Sequence, residues 1–226
     1  MARLARVVVP RVAHHVIQRG NRRQQTFFCD DDYQVYLKLM AEWCRDRGVE
    51  IWAYCLMPNH VHLIAVPSGE DGLRAAIGEA HRRYTRHVNF REGWRGHLWQ
   101  GRFSSYPLDE AHLYDAVRYI ELNPVRARLV RKPHRWRWNS AEAHRTGKDD
   151  VLCRTAPMLK RVGDWDEYLS AGVDEDLVRD FRRHERTGRP LGSESFLRRL
   201  EKRLDRILIP KKRGPKGPRK KRKPRN

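Results

Sequence analysis

The chemistry in this chain gathers at two places well separated in sequence. The first is His60-Val61-His62, inside the run Tyr54-Cys-Leu-Met-Pro-Asn-His-Val-His-Leu-Ile-Ala-Val66. Pro58-Asn59 is a turn pair between apolar runs rich in strand formers, which predicts a β-hairpin. Side chains alternate faces along a strand, so the two imidazoles point one way and Val61 the other. Two imidazoles side by side on a rigid strand can share a metal ion. A solvated edge strand would carry the same pair with no ion.

The second place is Tyr119 and Asn123, four apart on a helix predicted over about Asp109 to Asn123. Residues at that spacing lie one above the other, and Leu113, Val117 and Ile120 form the apolar stripe that would pack on a sheet. Pro124 disfavours helical geometry at the residue before it, which puts Asn123 at or near the helix end. Taken alone, this pair is also what a surface tyrosine before an Asn-Pro stop would give. Taken with the histidines, it suggests nucleophilic chemistry. A phenol with pKa about 10 is ionised in about one molecule per thousand at pH 7, a deficit of about 4 kcal/mol. A metal can polarise a phosphodiester held beside that phenol and stabilise the charge that develops on its oxygens. His97, His112 and Asp115 are nearby candidates for proton transfer, with solvated positions the plainer account. Tyr114 is a rival nucleophile that faces roughly the opposite side of the helix.

The elements that must position these residues follow from periodicity. His14 to Gly20 reads as a strand running into the basic turn Gly20-Asn21-Arg22-Arg23. Asp30, Asp31 and Asp32 offer N-caps for a helix carrying Tyr33, Tyr36, Leu37, Met40, Trp43 and Cys44, with Gly48 suited to its end. Strands at about 49–57 and 60–67 come next. A second helix bears Leu73, Ile77, Ala80, Tyr84 and Val88 on one stripe, and a fourth strand ends near Pro107. The order β-α-β-β-α-β is the ferredoxin-like pattern. The fold class expected is therefore α+β, an antiparallel sheet with two helices on one face and the Tyr119 helix added on the other.

Residues 1–148 form the catalytic unit in this reading. Residues 149–209 read as a helical region in which Leu177, Val178 and Phe181, then Leu197, Leu200, Leu204 and Ile207, mark two helices. They suit a helix-turn-helix DNA reader or a hairpin packed on the body. Trp136 and Trp138, interleaved with cations, suit either stacking on bases or core packing. Residues 210–226 read as a disordered basic tail.

Net charge is +20. Ten of the 48 Lys and Arg fall in 210–226 with no acid, which leaves 38 basic against 28 acidic residues, +10, on the rest. A body that stays basic without its tail points to a polyanionic partner, nucleic acid first. No run approaches a membrane span and no secretion signal is apparent. Cys29, Cys44, Cys55 and Cys153 lack metal or disulfide spacing, as expected for free thiols in a cytoplasmic, nucleoid-associated protein.

With these residues in view, the chain resembles the single-tyrosine HUH transposases of the IS200 type and their REP-associated relatives. His60-Val61-His62 matches the His-hydrophobic-His motif, and Tyr119-Ile-Glu-Leu-Asn-Pro-Val-Arg-Ala-Arg-Leu-Val130 the nucleophile segment. Val16-Ile-Gln-Arg-Gly-Asn-Arg-Arg23, Leu56-Met-Pro-Asn-His60, Trp99-Gln-Gly-Arg-Phe103 and Trp138-Asn-Ser-Ala141 match in the same order. The resemblance covers about 10–145. It implies Tyr119 as nucleophile, and His60, His62 and Asn123 as ligands of Mg²⁺ or Mn²⁺, where some branches carry Gln in place of Asn123. It further implies cutting of single-stranded DNA beside a hairpin through a 5′-phosphotyrosine, with no nucleotide cofactor, by a monomer or a homodimer.

Side chains expected to touch DNA are Arg19, Asn21, Arg22 and Arg23 of the first turn, and Arg82, Arg83 and Arg86 of the second helix. Arg102, Arg126, Arg198, Arg199 and Lys202 follow, with Lys212 and Arg213 in the tail. Two alternatives stand beside this enzyme. One is a domesticated, catalytically silent protein that grips structured DNA. The other is an RNA-binding ferredoxin-like domain, which would place aromatic residues on an exposed sheet face.

Overall fold

A computed structural model describes residues 5–209; the basic tail expected at 210–226, with Lys212 and Arg213, lies outside them. The chain opens with β1 (His14–Arg19), a 3-10 turn (Asn21–Arg23) and α1 (Asp30–Asp46), then β2 (Val49–Met57), β3 (His60–Pro67), α2 (Gly72–Glu92) and β4 (Ser104–Pro107). After the sheet come α3 (Glu110–Glu121), α4 (Asn123–Arg126), α5 (Ala141–Thr146), α6 (Ala156–Leu159), α7 (Trp165–Ser170), α8 (Glu175–Thr187) and α9 (Glu194–Leu204). The strands form one sheet in the order β2-β3-β1-β4, every pair antiparallel. This is the ferredoxin-like arrangement with the expected extra layer.

Alternation sorts the sheet into two faces. Val16, Ile51, Tyr54, Leu56, Val61, Leu63 and Ala65 join Tyr36, Met40, Ile77, Ala80 and Tyr84 of α1 and α2 in one buried cluster. Ile17, Ala53, Cys55, Met57, Ile64 and Val66 join Leu113, Val117, Tyr119 and Ile120 of α3 in another. The second cluster also contains Trp165, Leu169, Val178 and Phe181, so α7 and α8 pack on the same layer as α3. A bulge at Trp52 absorbs one extra residue between Ile51 and Ala53. It lets both halves of β2 keep their apolar side chains in phase with β3.

Several local expectations need adjustment. α1 is capped by Cys29, not by an aspartate; Asp32, one turn in, closes the helix start by accepting from the backbone N–H groups of Phe28 and Cys29. The helix bearing Tyr119 stops at Glu121, and Asn123 opens a further helical turn that contains Pro124. Proline is tolerated there because first-turn N–H groups have no intrahelical partner to lose. Trp138 is core: its ring stacks on Tyr33 at 4.6 Å, while the Trp136 indole donates to the Leu56 carbonyl. Ile207 lies past the end of α9 and is exposed.

Candidate active site

β1 and β3 lie side by side, and Ile17 opposes His62 while Arg19 opposes His60. The α3 face of this pair therefore carries His15, His60 and His62 together. Gly20, where β1 ends, donates its N–H to the Asn59 carbonyl. Any Cβ at Gly20 would sit 2.2 Å from the Gln24 carbonyl oxygen, so only glycine brings the basic turn this close to the hairpin. The rings of His60 and His62 are 5.0 Å apart and nearly perpendicular. Tyr119 of α3 lies 5.6 Å from His62. Tyr119, Asn123, His60, Arg19, Arg23 and Arg126 all line one cavity of about 860 Å³.

Both histidines are held in a single tautomer by their neighbours. Asn59 donates through Nδ2 to the Arg23 carbonyl, so its Oδ1 must accept from His60 Nδ1–H at 2.6 Å. That leaves His60 Nε2 with a bare lone pair. A longer chain fixes His62. The Tyr106 hydroxyl donates to the Phe181 carbonyl at 3.5 Å and accepts from His15 Nδ1 at 2.7 Å. His15 Nε2 then accepts from His62 Nδ1–H at 3.0 Å. A carbonyl can only accept, so this is the one assignment that uses all three bonds. It ends on His62 Nε2, which is buried and has no hydrogen-bond partner. The side-chain nitrogen of Asn123 is likewise buried and unpartnered.

Electrostatics keep these rings neutral. Burial, helped by Arg19, pushes the His60 pKa down to about 3. Burial also drives His62 well below its ordinary value, with His60, His15, Arg19 and Arg126 adding to the effect. Neutral imidazole with a free lone pair is the metal-binding form, and an acceptor for its other N–H, here His15 behind His62 and Asn59 behind His60, fixes that lone pair's direction. His60 and His62 thus offer two imidazole nitrogens of the kind that suits a divalent ion, and Asn123, which lines the cavity with His60, could add only its amide oxygen. Imidazole favours Mn²⁺ over Mg²⁺, which prefers oxygen.

Tyr119 is only 8% exposed. Burial raises its pKa, and the Arg126 guanidinium, 5.0 Å from the ring, works in the opposite direction. Arg126, expected as a DNA contact, thus also faces the phenol. Phe181 of α8 packs on Tyr119 at 5.1 Å. Arg182, Glu185 and Arg186 of the same helix complete the cavity wall, where Arg19 and Glu185 pair at 4.0 Å. Between Tyr119 and Asn123, the fully buried Glu121 carboxylate accepts from Ser140 Oγ at 2.6 Å, His144 Nδ1 at 2.7 Å and Trp165 Nε1 at 2.8 Å.

The remaining sequence candidates scatter. Asn21 and the exposed Arg22 sit in the 3-10 turn, Arg22 and Arg23 with positive φ. Arg82 and Arg83 pair with Glu79 on α2, where Arg86 is exposed. Arg102 is exposed beyond the cavity. Arg198, Arg199 and Lys202 stand on α9, whose Phe196 and Leu200 pack on Val7 and Val9. Of the proton-transfer candidates, His112 bonds Asp109, Asp115 pairs with Arg118 and His97 is exposed. None of the three lines the cavity, nor does Tyr114. Sequence reasoning passed over His15, Asn59 and Tyr106. Only the adjacency of Asn59 to His60, and the phase of His15 within β1, hinted at them.

Comparison with known proteins closes the picture. The family described as "Transposase IS200 like" matches residues 8–123, from just before β1 to Asn123. A REP-associated tyrosine transposase of Escherichia coli (strain K12) is 28% identical over 117 residues, 51% of this chain and 67% of that protein. A solved structure of a REP-associated tyrosine transposase bound to a REP hairpin shares the fold, with a TM-score of 0.57. It is 23% identical and covers 68% of this chain and 92% of its own. Among the described residues no helix is long and apolar enough to cross a membrane. With a match that runs from the first strand through the whole His60, His62, Tyr119 and Asn123 set, the chain belongs to the IS200-like transposase family.

Proposed function

We propose that this protein is a metal-dependent DNA transposase and nickase that cuts and rejoins single-stranded DNA beside a hairpin through Tyr119. One observation carries the reading. The Tyr119 ring lies 5.6 Å from His62, whose buried Nε2 has no partner and whose ring neighbours His60, which lines one basic pocket with Tyr119 and Asn123. Family membership supports the reaction class. The relative solved with a REP hairpin suggests the kind of DNA, a short palindrome folded on itself.

His60 and His62 through Nε2, and Asn123 through its side-chain amide, would hold Mg²⁺ or Mn²⁺. That ion would supply Lewis-acid polarisation of the scissile phosphodiester. Tyr119 Oη attacks phosphorus, the P–O bond to the 3′ oxygen breaks, and the phenol's proton leaves with that oxygen or to water. The products are a 5′-phosphotyrosine and a free 3′-OH. Attack by a 3′-OH on the phosphotyrosine reseals the strand without a nucleotide cofactor, because one phosphodiester is exchanged for another. Arg126 favours the phenolate over the phenol, while Arg19, Arg23, Arg182 and Arg186 offset phosphate charge.

The test is an oligonucleotide carrying a palindrome from the DNA that flanks the gene, incubated with protein and Mn²⁺. An SDS-resistant protein-DNA adduct is expected. Tyr119→Phe should abolish it and leave hairpin affinity unchanged. Adducts that persist in Tyr119→Phe would remove Tyr119 from its role. No adduct in the wild type would favour the second reading, a domesticated protein that grips structured DNA without cutting, for which the burial of Tyr119 beneath Phe181 speaks.

A further inference from the structure

Away from the cavity, the far end of α2 exposes two large aromatic rings in a cationic setting. Phe90 is 90% exposed and Trp94 44% exposed. Their placement is built. Gly93 caps α2 in the left-handed conformation, which folds the chain back so that Trp94 N–H donates to the Asn89 carbonyl at 2.9 Å. Asn89 Nδ2 in turn donates to the Gly96 carbonyl at 3.0 Å and holds the loop. The result is a groove of about 530 Å³ lined by Arg82, Arg86, Asn89, Phe90, Trp94 and Arg95. Phe28 packs edge-on against Trp94 at 5.5 Å and steadies its ring.

A phenylalanine ring left almost wholly in water beside arginines forgoes burial that an occupant of the groove would restore. Aromatic faces flanked by cations are the platform on which unpaired bases stack while their phosphates are neutralised. The loop beyond the groove also leads back to the site. Asn21 N–H bonds the Leu98 carbonyl, and Gln100 lines the cavity with His60 and Tyr119. The charge of the chain, +20, favours an anionic occupant over an apolar protein surface.

We propose that this groove receives an unpaired nucleobase of the bound DNA, stacked on Phe90 and Trp94, with Arg86 and Arg95 on the adjoining phosphates. The assignment rests on the single-stranded DNA reading above but not on cleavage, so it is tested without metal in the Tyr119→Phe background. Affinities of the full chain are measured for a hairpin with unpaired flanks and for a blunt duplex of equal length. Phe90→Ala and Trp94→Ala should each weaken the flanked hairpin by about 5- to 150-fold, the range for losing one base stack. Both should bind the duplex within about twofold of the parent, and Phe90→Tyr should retain parental affinity. Photocrosslinking of 5-iodouracil placed in the unpaired flank should label peptides containing Phe90 or Trp94. Parental affinity of both alanine variants for the flanked hairpin would overturn the groove assignment alone. So would a change in sedimentation mass, which would mean that a second copy of the chain covers the groove. A Tyr119→Phe parent that binds neither DNA would overturn the groove and the DNA reading together.

Discussion

The two faces of β3 solve different problems with alternate residues of one strand. Val61, Leu63 and Ala65 meet α1 and α2 with hydrocarbon alone. His60 and His62 point to the α3 side, where burying polar atoms would cost several kcal/mol each without partners. There the cost is met by hydrogen-bonded neighbours down to one nitrogen on each ring. The first face is interchangeable packing. The second is held atom by atom, and the unpartnered nitrogens of His62 and Asn123 lie on the side of Tyr119. What sets the polar side apart is imidazole nitrogen left open beside a tyrosine, the arrangement a ligand could use.

The sharpest way to break the contrast is to truncate neighbours on opposite faces. His62→Ala should abolish the SDS-resistant adduct while the chain still folds. Leu63→Ala should cost about 2–5 kcal/mol in denaturant unfolding and, where folded, keep Mn²⁺ binding. If His62→Ala is the more damaging to stability, the polar face is structural after all.

A smaller effect tests the chain of hydrogen bonds behind His62. His15→Phe removes the acceptor for His62 Nδ1 and should weaken Mn²⁺ binding by about 10–100-fold, read by Mn²⁺ electron paramagnetic resonance in the absence of DNA. His15→Gln, whose carbonyl oxygen can accept the same proton, should recover most of that loss. Equal weakening in both variants would leave His15 with a packing role only.

The smallest effect comes from buried histidines on the α1 and α2 side of the sheet. Burial lowers the His14 pKa to about 4 and that of His81, bonded to the Tyr36 hydroxyl, to about 3. Both are near 6.5 when unfolded. Below pH 6.5 the unfolded chain takes up protons that the folded one refuses, so stability is complete above that pH. It falls as the pH drops towards 4, by at most about 1.4 kcal/mol per unit for each residue. Denaturant midpoints at pH 7 and pH 5 check the direction. His81→Gln should flatten the slope by about one proton.

Much of this was legible in advance where periodicity carries the information. The alternation around His60-Val61-His62 put both imidazoles on one strand face, and the stripe Leu113, Val117, Ile120 put the Tyr119 helix on the sheet, because strand and helix periods determine which side chains share a face. The burial of Tyr119 in the stripe's own cluster was not part of that pattern. Asn123 and Tyr119 did come to one cavity, although the helix broke between them. What was not legible depends on contacts between elements distant in sequence. Nothing local says that His15 sits diagonally from His62 across a strand pair. Nor does anything local say that Phe181 and Arg182, far downstream, roof the phenol. The one-turn helices α6 and α7 also went unread, since segments of four to six residues are too short to show a period.

The buried Glu121 carboxylate has a bearing on how this molecule can be divided. It splints the turn between Tyr119 and Asn123 to Ser140, His144 and Trp165, which all lie after the end of the family match at residue 123. A fragment cut at that boundary would keep His60, His62, Tyr119 and Asn123, lose all three of these hydrogen bonds, and leave the Glu121 carboxylate facing water where α5 and α7 now cover it. Its α3 would keep the packing of Leu113, Val117 and Ile120 on the sheet and lose the polar splint at its end. Minimal versions of this chain therefore have to reach at least through α7, however complete their motifs look on paper.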